Sequence, residues 1–228
     1  MISARGLVKT YGAGRATRRV LDGADLDVAA GEVVAIVGRS GTGKSTLLHL
    51  VGALDRPEAG TIEVAGERVD GRSERALSAF RRRRVGFVFQ FFHLVPELTG
   101  EENVLLPTRL PGAPRSAPAH GRELIERLGL GDAARRRPHE LSGGEQQRLA
   151  VARALVLDPP VLLADEPTGN LDEASGAAVL DLLRSAATAD RAVIVVTHEP
   201  RTSAMADRTV TLVDGRLVAS AHGAVGGA

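Results

Sequence analysis

Apolar residues follow two rhythms along this chain. Short β-branched or apolar runs stand at residues 33–37, 85–89, 161–164 and 193–197, and they predict buried strands of an α/β sheet. Residues 2–8 and 21–28 alternate or run apolar around a Gly-containing turn and predict an antiparallel pair. Residues 61–64 and 67–69 flank Ala65-Gly66 and predict a hairpin, and residues 209–213 and 216–219, joined at Asp214-Gly215, predict another. The helical rhythm predicts an apolar helix over 44–54, helices over 101–106 and 122–128, and a strongly amphipathic one over 145–156. Residues 110–120 are rich in Pro, Gly and Ala and predict a loop. Together these patterns give a single domain over 1–228. An α/β core with a β subdomain spans 1–89 and 159–219, a helical subdomain is inserted over 90–158, and 220–228 is a frayed tail. No internal repeat is present, so the chain carries one such unit.

Composition narrows the classes. With 43% hydrophobic and 25% charged residues, the chain has the balance of a soluble globular protein and not of a disordered one. A net charge of +1 points to no polyanionic partner, and the runs at Arg81–84 and Arg135–137 read as solvated faces, so no nucleic acid is expected. The absence of cysteine excludes disulfides, thiolate metal sites and cysteine catalysis. No segment approaches the roughly 20 apolar residues that cross a bilayer, and the first ten residues lack the apolar core of a signal peptide. A membrane role would therefore be exercised through a partner, from the cytoplasmic face.

Lys9 and Lys44 are the only lysines among otherwise arginine cations, which makes the position of Lys44 conspicuous. Gly38-Arg39-Ser40-Gly41-Thr42-Gly43-Lys44-Ser45 matches G-x-x-x-x-G-K-[ST], after a buried strand and at the start of a helix. Gly38, Gly41 and Gly43 let the backbone curl so that successive N–H groups, with those of Ser40 and Thr46, face a phosphate at the positive end of a helix. Lys44 reaches the β- and γ-phosphates, and the Ser45 hydroxyl is a ligand for Mg²⁺. Residues 161–166 form an apolar run that ends in Asp165 and Glu166. Carboxylates closing a buried strand beside a phosphate loop suit a metal-holding Asp165 and a Glu166 that acts as general base or positions the attacking water.

Leu141-Ser142-Gly143-Gly144-Glu145-Gln146-Gln147-Arg148 resembles the LSGGQ signature of the ABC ATPases. Physically it is a second anion site, in which Ser142 and the amides of Gly143 and Gly144 open a helix. The resemblance covers nearly the whole chain. It implies a P-loop NTPase (RecA-like) core of α/β class, with an N-terminal antiparallel β subdomain and an inserted helical subdomain. It also implies ATP and Mg²⁺ as ligands, and a head-to-tail homodimer that clamps ATP between Lys44 of one subunit and Ser142 of the other. By the same resemblance Gln90 is the Q-loop glutamine at the metal and His198 the switch histidine at the γ-phosphate. Asp172 of Asn170-Leu171-Asp172 lies in the loop that crosses the dimer interface, and Tyr11 stacks on adenine. The stretches at 164–172 and 98–104 look like the branch of lipoprotein-release, macrolide-export, haem-export and cell-division ATPases, which implies integral membrane permease subunits as partners and export or extraction as the task. An ATPase that regulates a membrane partner without moving a solute is the alternative. A nucleic-acid ATPase of the chromosome-maintenance kind fits less well, because residues 45–141 hold no sustained heptads. Phe91, Phe92, Leu94, Val95 and Leu98 form an apolar cluster, part of which is expected either to receive a helix of the permease or to pack the helical subdomain.

Overall fold

The computed structural model describes residues 1–12 and 17–219; residues 13–16, within the predicted Gly-containing turn, and the predicted tail lie outside the described residues. Two sheets carry the fold. The first is antiparallel, in the order β2-β1-β4-β5, from β1 (Ile2–Tyr11), β2 (Arg18–Val28), β4 (Ala59–Val64) and β5 (Glu67–Arg68). The second has the order β10-β9-β3-β8-β7-β6. Its parallel members are β3 (Val33–Val37), β6 (Val85–Phe89), β7 (Val161–Asp165), β8 (Ala192–Val196) and β9 (Arg208–Val213), and β10 (Arg216–Ala219) closes the edge antiparallel to β9. The apolar runs become the buried strands β3, β7 and β8 of the sheet interior and β6 at its edge.

Helix α1 (Lys44–Val51) lies between the sheets. Its Leu47, Leu48 and Leu50 share one buried cluster with Leu7 and Ile62 of the first sheet and Ile36 of the second. The helix that follows the phosphate loop is thus clamped on two sides. The other face of the second sheet is covered by α6 (Gly143–Leu155) and α7 (Glu173–Ala186), whose Val151, Leu155, Val179 and Leu183 pack on Leu162 and Val193. A third cluster joins Leu149 and Ala152 of α6 to Val104 of α3 (Gly100–Leu105), Ile125 of α4 (Ala117–Arg127) and Ala133 of α5 (Gly131–Ala134). Helix α6 therefore belongs to the sheet with one face and to the helical insertion with the other.

The structure departs from the sequence pattern at identifiable places. Helix α1 stops at Val51 and not at Leu54; Gly52, its C-cap, passes so close to β6 that a Cβ there would stand 2.2 Å from the Phe87 ring. Leu54 N–H then donates to His49 O at 2.8 Å and Ala53 N–H to Leu50 O at 3.0 Å, a Schellman closure with Ala53 at φ 56°. Helix α4 begins at Ala117, inside the stretch predicted as loop, since Pro118 in a first turn sacrifices no intrahelical hydrogen bond. Helices α2 (Glu74–Arg84), α7 and α8 (Pro200–Ala204) have no counterpart in the sequence reading. Helix α2 buries only Leu77 and Phe80 and otherwise shows arginines, too little for an apolar period. Those arginines are engaged within the chain: Arg81 pairs with Glu74 at 2.7 Å and Arg84 with Glu67 at 2.8 Å.

Candidate active site

The adjacent parallel strands β3, β8 and β7 bring three loops to one sheet edge. Ile36 stands opposite Val196, and Val196 opposite Asp165. The loop after β3, the residues Thr197-His198 after β8, and Asp165-Glu166 at the end of β7 therefore open side by side, as ligand-binding loops do at the carboxyl ends of such sheets.

Gly43 caps α1 at φ 105°, and a Cβ there would meet Val20 O of β2 at 2.8 Å, so left-handed geometry and close approach both require glycine. No side chain caps this helix end, which leaves its first N–H groups directed into the loop. Lys44 is buried, and its ammonium donates to Gly38 O at 2.9 Å and Arg39 O at 3.2 Å. Gly38 and Ser40 lie in the same loop, Ser40 and Gly41 at its exposed surface. Arg18 of β2 donates to Gly41 O at 2.9 Å and puts a further cation against the loop. The sequence offers no signal for Arg18, because the approach of β2 is a tertiary event.

Ser45 Oγ donates to Asp165 Oδ1 at 3.0 Å across 120 residues of chain. Burial pushes the Asp165 carboxyl above its usual range, while the Ser45 hydroxyl and the positive field of His49 pull it back. A desolvated carboxylate beside a hydroxyl is an all-oxygen donor set, which fits Mg²⁺ completed by phosphate oxygens and water. Gln90 is not on this pair. Its amide nitrogen faces Asn170 Oδ1 at 3.4 Å, and Asn170 Nδ2 returns a bond to Gln90 O at 3.1 Å, so the expected metal-side position is not formed here.

Glu166 is one of the few residues other than glycine in the left-handed region, at φ 47°, a conformation that costs about 1 kcal/mol or more. Its N–H donates to Val196 O at 2.9 Å, and its carboxylate Oε2 lies 3.0 Å from His198 Nδ1. Glu166 is largely enclosed and His198 mostly exposed, so the imidazole is the solvent-facing member of the pair. Tyr11 ends β1 with its ring partly exposed. Its hydroxyl donates to Asp55 Oδ2 at 2.8 Å, just beyond the C-terminal end of the phosphate-loop helix in the chain.

The second anion site has a different local structure. Ser142 caps α6 in a capping box with Glu145, and Gly143 and Gly144 make the first turn. Both Ser142 N–H (2.8 Å) and Ser142 Oγ (2.9 Å) donate to Glu145 Oε2, and Arg136 grips Glu145 Oε1 at 2.6 Å. The Ser142 N–H and hydroxyl, with Arg136, hold the Glu145 carboxyl below its usual range. Asp172, expected at the nucleotide across the dimer, is occupied as the N-cap of α7. Ser175 N–H and Ser175 Oγ each donate to it at 2.9 Å. The apolar cluster after Gln90 does not form one surface either: Phe91 is exposed, whereas Leu94 packs against the helical cluster.

Comparison with known proteins agrees with this geometry. The pattern of the ABC transporter family matches residues 21–169. The chain is 49% identical to the lipoprotein-releasing system ATP-binding protein LolD of Geobacter metallireducens, over 96% of this chain and 98% of that protein. It is 48% identical to the macrolide export ATP-binding/permease protein MacB 1/2 of Paracoccus denitrificans over 96% of this chain, which spans 33% of that longer protein. Among solved structures, the ATP-binding cassette MJ0796, a dimer in a post-hydrolysis state bound to ADP and Pi, superposes with a TM-score of 0.85 at 36% identity, covering 95% of this chain and 96% of that one. The chain belongs to the ABC transporter family and is one of its ATP-hydrolysing, ATP-binding subunits.

Proposed function

We propose that this chain works as a head-to-tail homodimer that closes around two ATP molecules and drives a separate membrane permease in export or in extraction from the membrane. The observation that carries the dimer is the separation of the two anion sites. Lys44 follows β3, whereas α6 packs beside β6, and three strand spacings, about 14 Å, lie between these strands. A second copy turned head to tail supplies Ser142 from the opposite side.

In this reading the loop amides and Lys44 hold the β- and γ-phosphates, Tyr11 stacks on adenine, and Ser142, Gly143 and Gly144 of the second copy close on the γ-phosphate. Glu166 orients and deprotonates the attacking water, and His198, bonded to Glu166, faces the same phosphate. Ser45 and Asp165, with Gln90 after a turn away from Asn170, would hold Mg²⁺, which when bound offsets the charge of the phosphates. Loss of the γ-phosphate removes the bridge between the copies, and the dimer reopens.

Among the described residues no helix is long and apolar enough to cross a membrane, which suits action through a partner at the cytoplasmic face. A cleft of about 660 Å³ between α2, β6 and the helical insertion is the better candidate for permease docking than the cluster after Gln90. Leu54, Phe87, Phe89, Leu110 and Leu157 form its apolar wall, with Arg153 among them. The identity to LolD and MacB supports the lipoprotein-release or macrolide-export branch. The test uses Glu166→Gln, which is expected to bind ATP, to lose about a thousandfold in turnover and to accumulate closed dimers. Tagged Glu166→Gln, incubated with ATP in detergent extracts of its own host's membranes, should recover an integral membrane permease. Recovery of soluble or DNA-associated proteins alone would overturn the transport role.

A further inference from the structure

The side chain of Gln147, in the second turn of α6, is completely buried. Its single amide nitrogen donates to two backbone carbonyls that belong to different catalytic segments: Phe89 O at 3.1 Å and Pro167 O at 2.6 Å. Phe89 immediately precedes Gln90, and Pro167 immediately follows Glu166. Both N–H bonds of the amide are thereby used, and its oxygen is left buried without a partner. A buried acceptor with no donor is unfavourable and uncommon. The orientation is nevertheless dictated, since turning the amide over would set its oxygen against two carbonyl oxygens. The side chain serves the two segments at the expense of its own satisfaction.

The segments it joins need holding. Glu166 sits in a left-handed conformation at φ 47°, a strained turn that only its surroundings maintain. Its N–H is fixed by Val196 O on the strand side, and the next carbonyl, that of Pro167, is fixed by Gln147. The loop beyond Gln90 is held by the same helix, because Arg153 donates to Phe92 O at 2.8 Å and to His93 O at 2.5 Å. The helix that opens with Ser142 thus grips the backbone on both sides of Gln90 and directly after Glu166.

From this geometry we infer that Gln147 is a positioning residue: it locks the Glu166 turn and the Gln90 strand end to the signature helix, so that engagement of Ser142 by a nucleotide sets the orientation of the catalytic carboxylate. A primary amide is the side chain that can present two N–H groups from one atom to two carbonyls without burying a charge. The inference rests on Glu166 as the base, so Glu166→Gln is measured alongside. Hydrolysis at the parent rate in that variant would refute the base assignment and leave the lock to be decided by the Gln147 variants.

The experiment compares steady-state ATP hydrolysis and ATP-dependent dimerisation of Gln147→Met and Gln147→Glu with the parent. Methionine keeps the length and removes both donors. Its kcat should fall about tenfold or more while KM for ATP stays within about threefold, the signature of a lost transition-state arrangement and not of lost binding. The same substitution in the Glu166→Gln background should still give ATP-driven dimers on size exclusion. In Gln147→Glu, the ionised carboxylate opposes both carbonyls, whereas the protonated form donates to one. Its kcat relative to the parent should therefore climb as the pH is lowered from 8 to 6, a readout that merely structural damage would not move. A Gln147→Met kcat within about twofold of the parent, or a matching loss in KM and dimerisation, would overturn the inference. If Gln147→Met does not fold, the pH profile of Gln147→Glu decides: a climbing ratio sustains the lock and a flat one removes it.

Discussion

Helices α1 and α6 both begin at glycine-rich turns that present backbone N–H groups, yet their first turns are finished in opposite ways. Helix α1 has no side-chain cap: its N-cap is Gly43, the cation of Lys44 is folded over the loop carbonyls, and the Asp165 carboxylate meets the helix through the Ser45 hydroxyl. Helix α6 is capped twice over. Glu145 accepts from the N–H and the hydroxyl of Ser142 and is itself held by Arg136. The first helix end is ready for an anion in the single chain, whereas the second already contains one of its own. The difference teaches that the two sites are unequal partners. A phosphate entering at α1 meets a cation and an uncapped helix end, while a phosphate arriving at α6 competes with a carboxylate for the Ser142 hydroxyl.

Removing the cation of the first site tests the comparison most strongly. Lys44→Ala is expected to weaken ATP binding and to lower turnover about a hundredfold or more, measured by nucleotide binding and steady-state hydrolysis. Retention of turnover within tenfold would show that the open helix end and Arg18 suffice without Lys44. The effect at the second site should be smaller and of the opposite sign. Glu145→Gln keeps an acceptor for Ser142 but removes the negative charge from the path of the γ-phosphate. In the Glu166→Gln background it should lower the ATP concentration needed for dimerisation about fivefold, the equivalent of roughly 1 kcal/mol. An unchanged or raised requirement would mean that the carboxylate does not compete with phosphate.

The smallest expected effect is on stability. The Glu145 carboxyl is held below its usual range by the Ser142 N–H and hydroxyl and by Arg136. A depressed folded-state pKa stabilises the fold above the unfolded value, about 4.3, and that contribution is lost as the pH falls through the lower folded value. Parent protein should therefore melt slightly above Glu145→Gln near pH 6, and the gap should close as the pH drops below about 4.3. A gap that is independent of pH would assign the difference to packing and not to the charged cap.

Much of this molecule is legible along the chain. The strands β3, β6, β7 and β8 coincide with short β-branched or apolar runs, because a strand covered on both faces favours apolar side chains throughout. Lys44 and Ser45 stand out by the spacing of a phosphate loop, Asp165 and Glu166 by closing an apolar run with two carboxylates, and Ser142 by its resemblance to the family signature. Helix α2 escapes notice because two buried residues make no period, and the first turn of α4 because Pro, Gly and Ala there look like loop. Tyr11 is bonded to Asp55 at the end of β1, and Gln90 and Asp172 are turned to local partners that their motif positions do not foretell.

By itself, then, the sequence determined the class of chemistry and the order of the parts, since phosphate binding by backbone amides and burial of a parallel sheet both leave local residue patterns. Only the tertiary structure decided which parts touch. The meeting of Ser45 with Asp165, of Glu166 with His198, and of Gln147 with both Phe89 and Pro167 spans 120, 32, 58 and 20 residues of chain. Contacts at such separations follow from strand order and helix packing, which no local pattern of residues encodes.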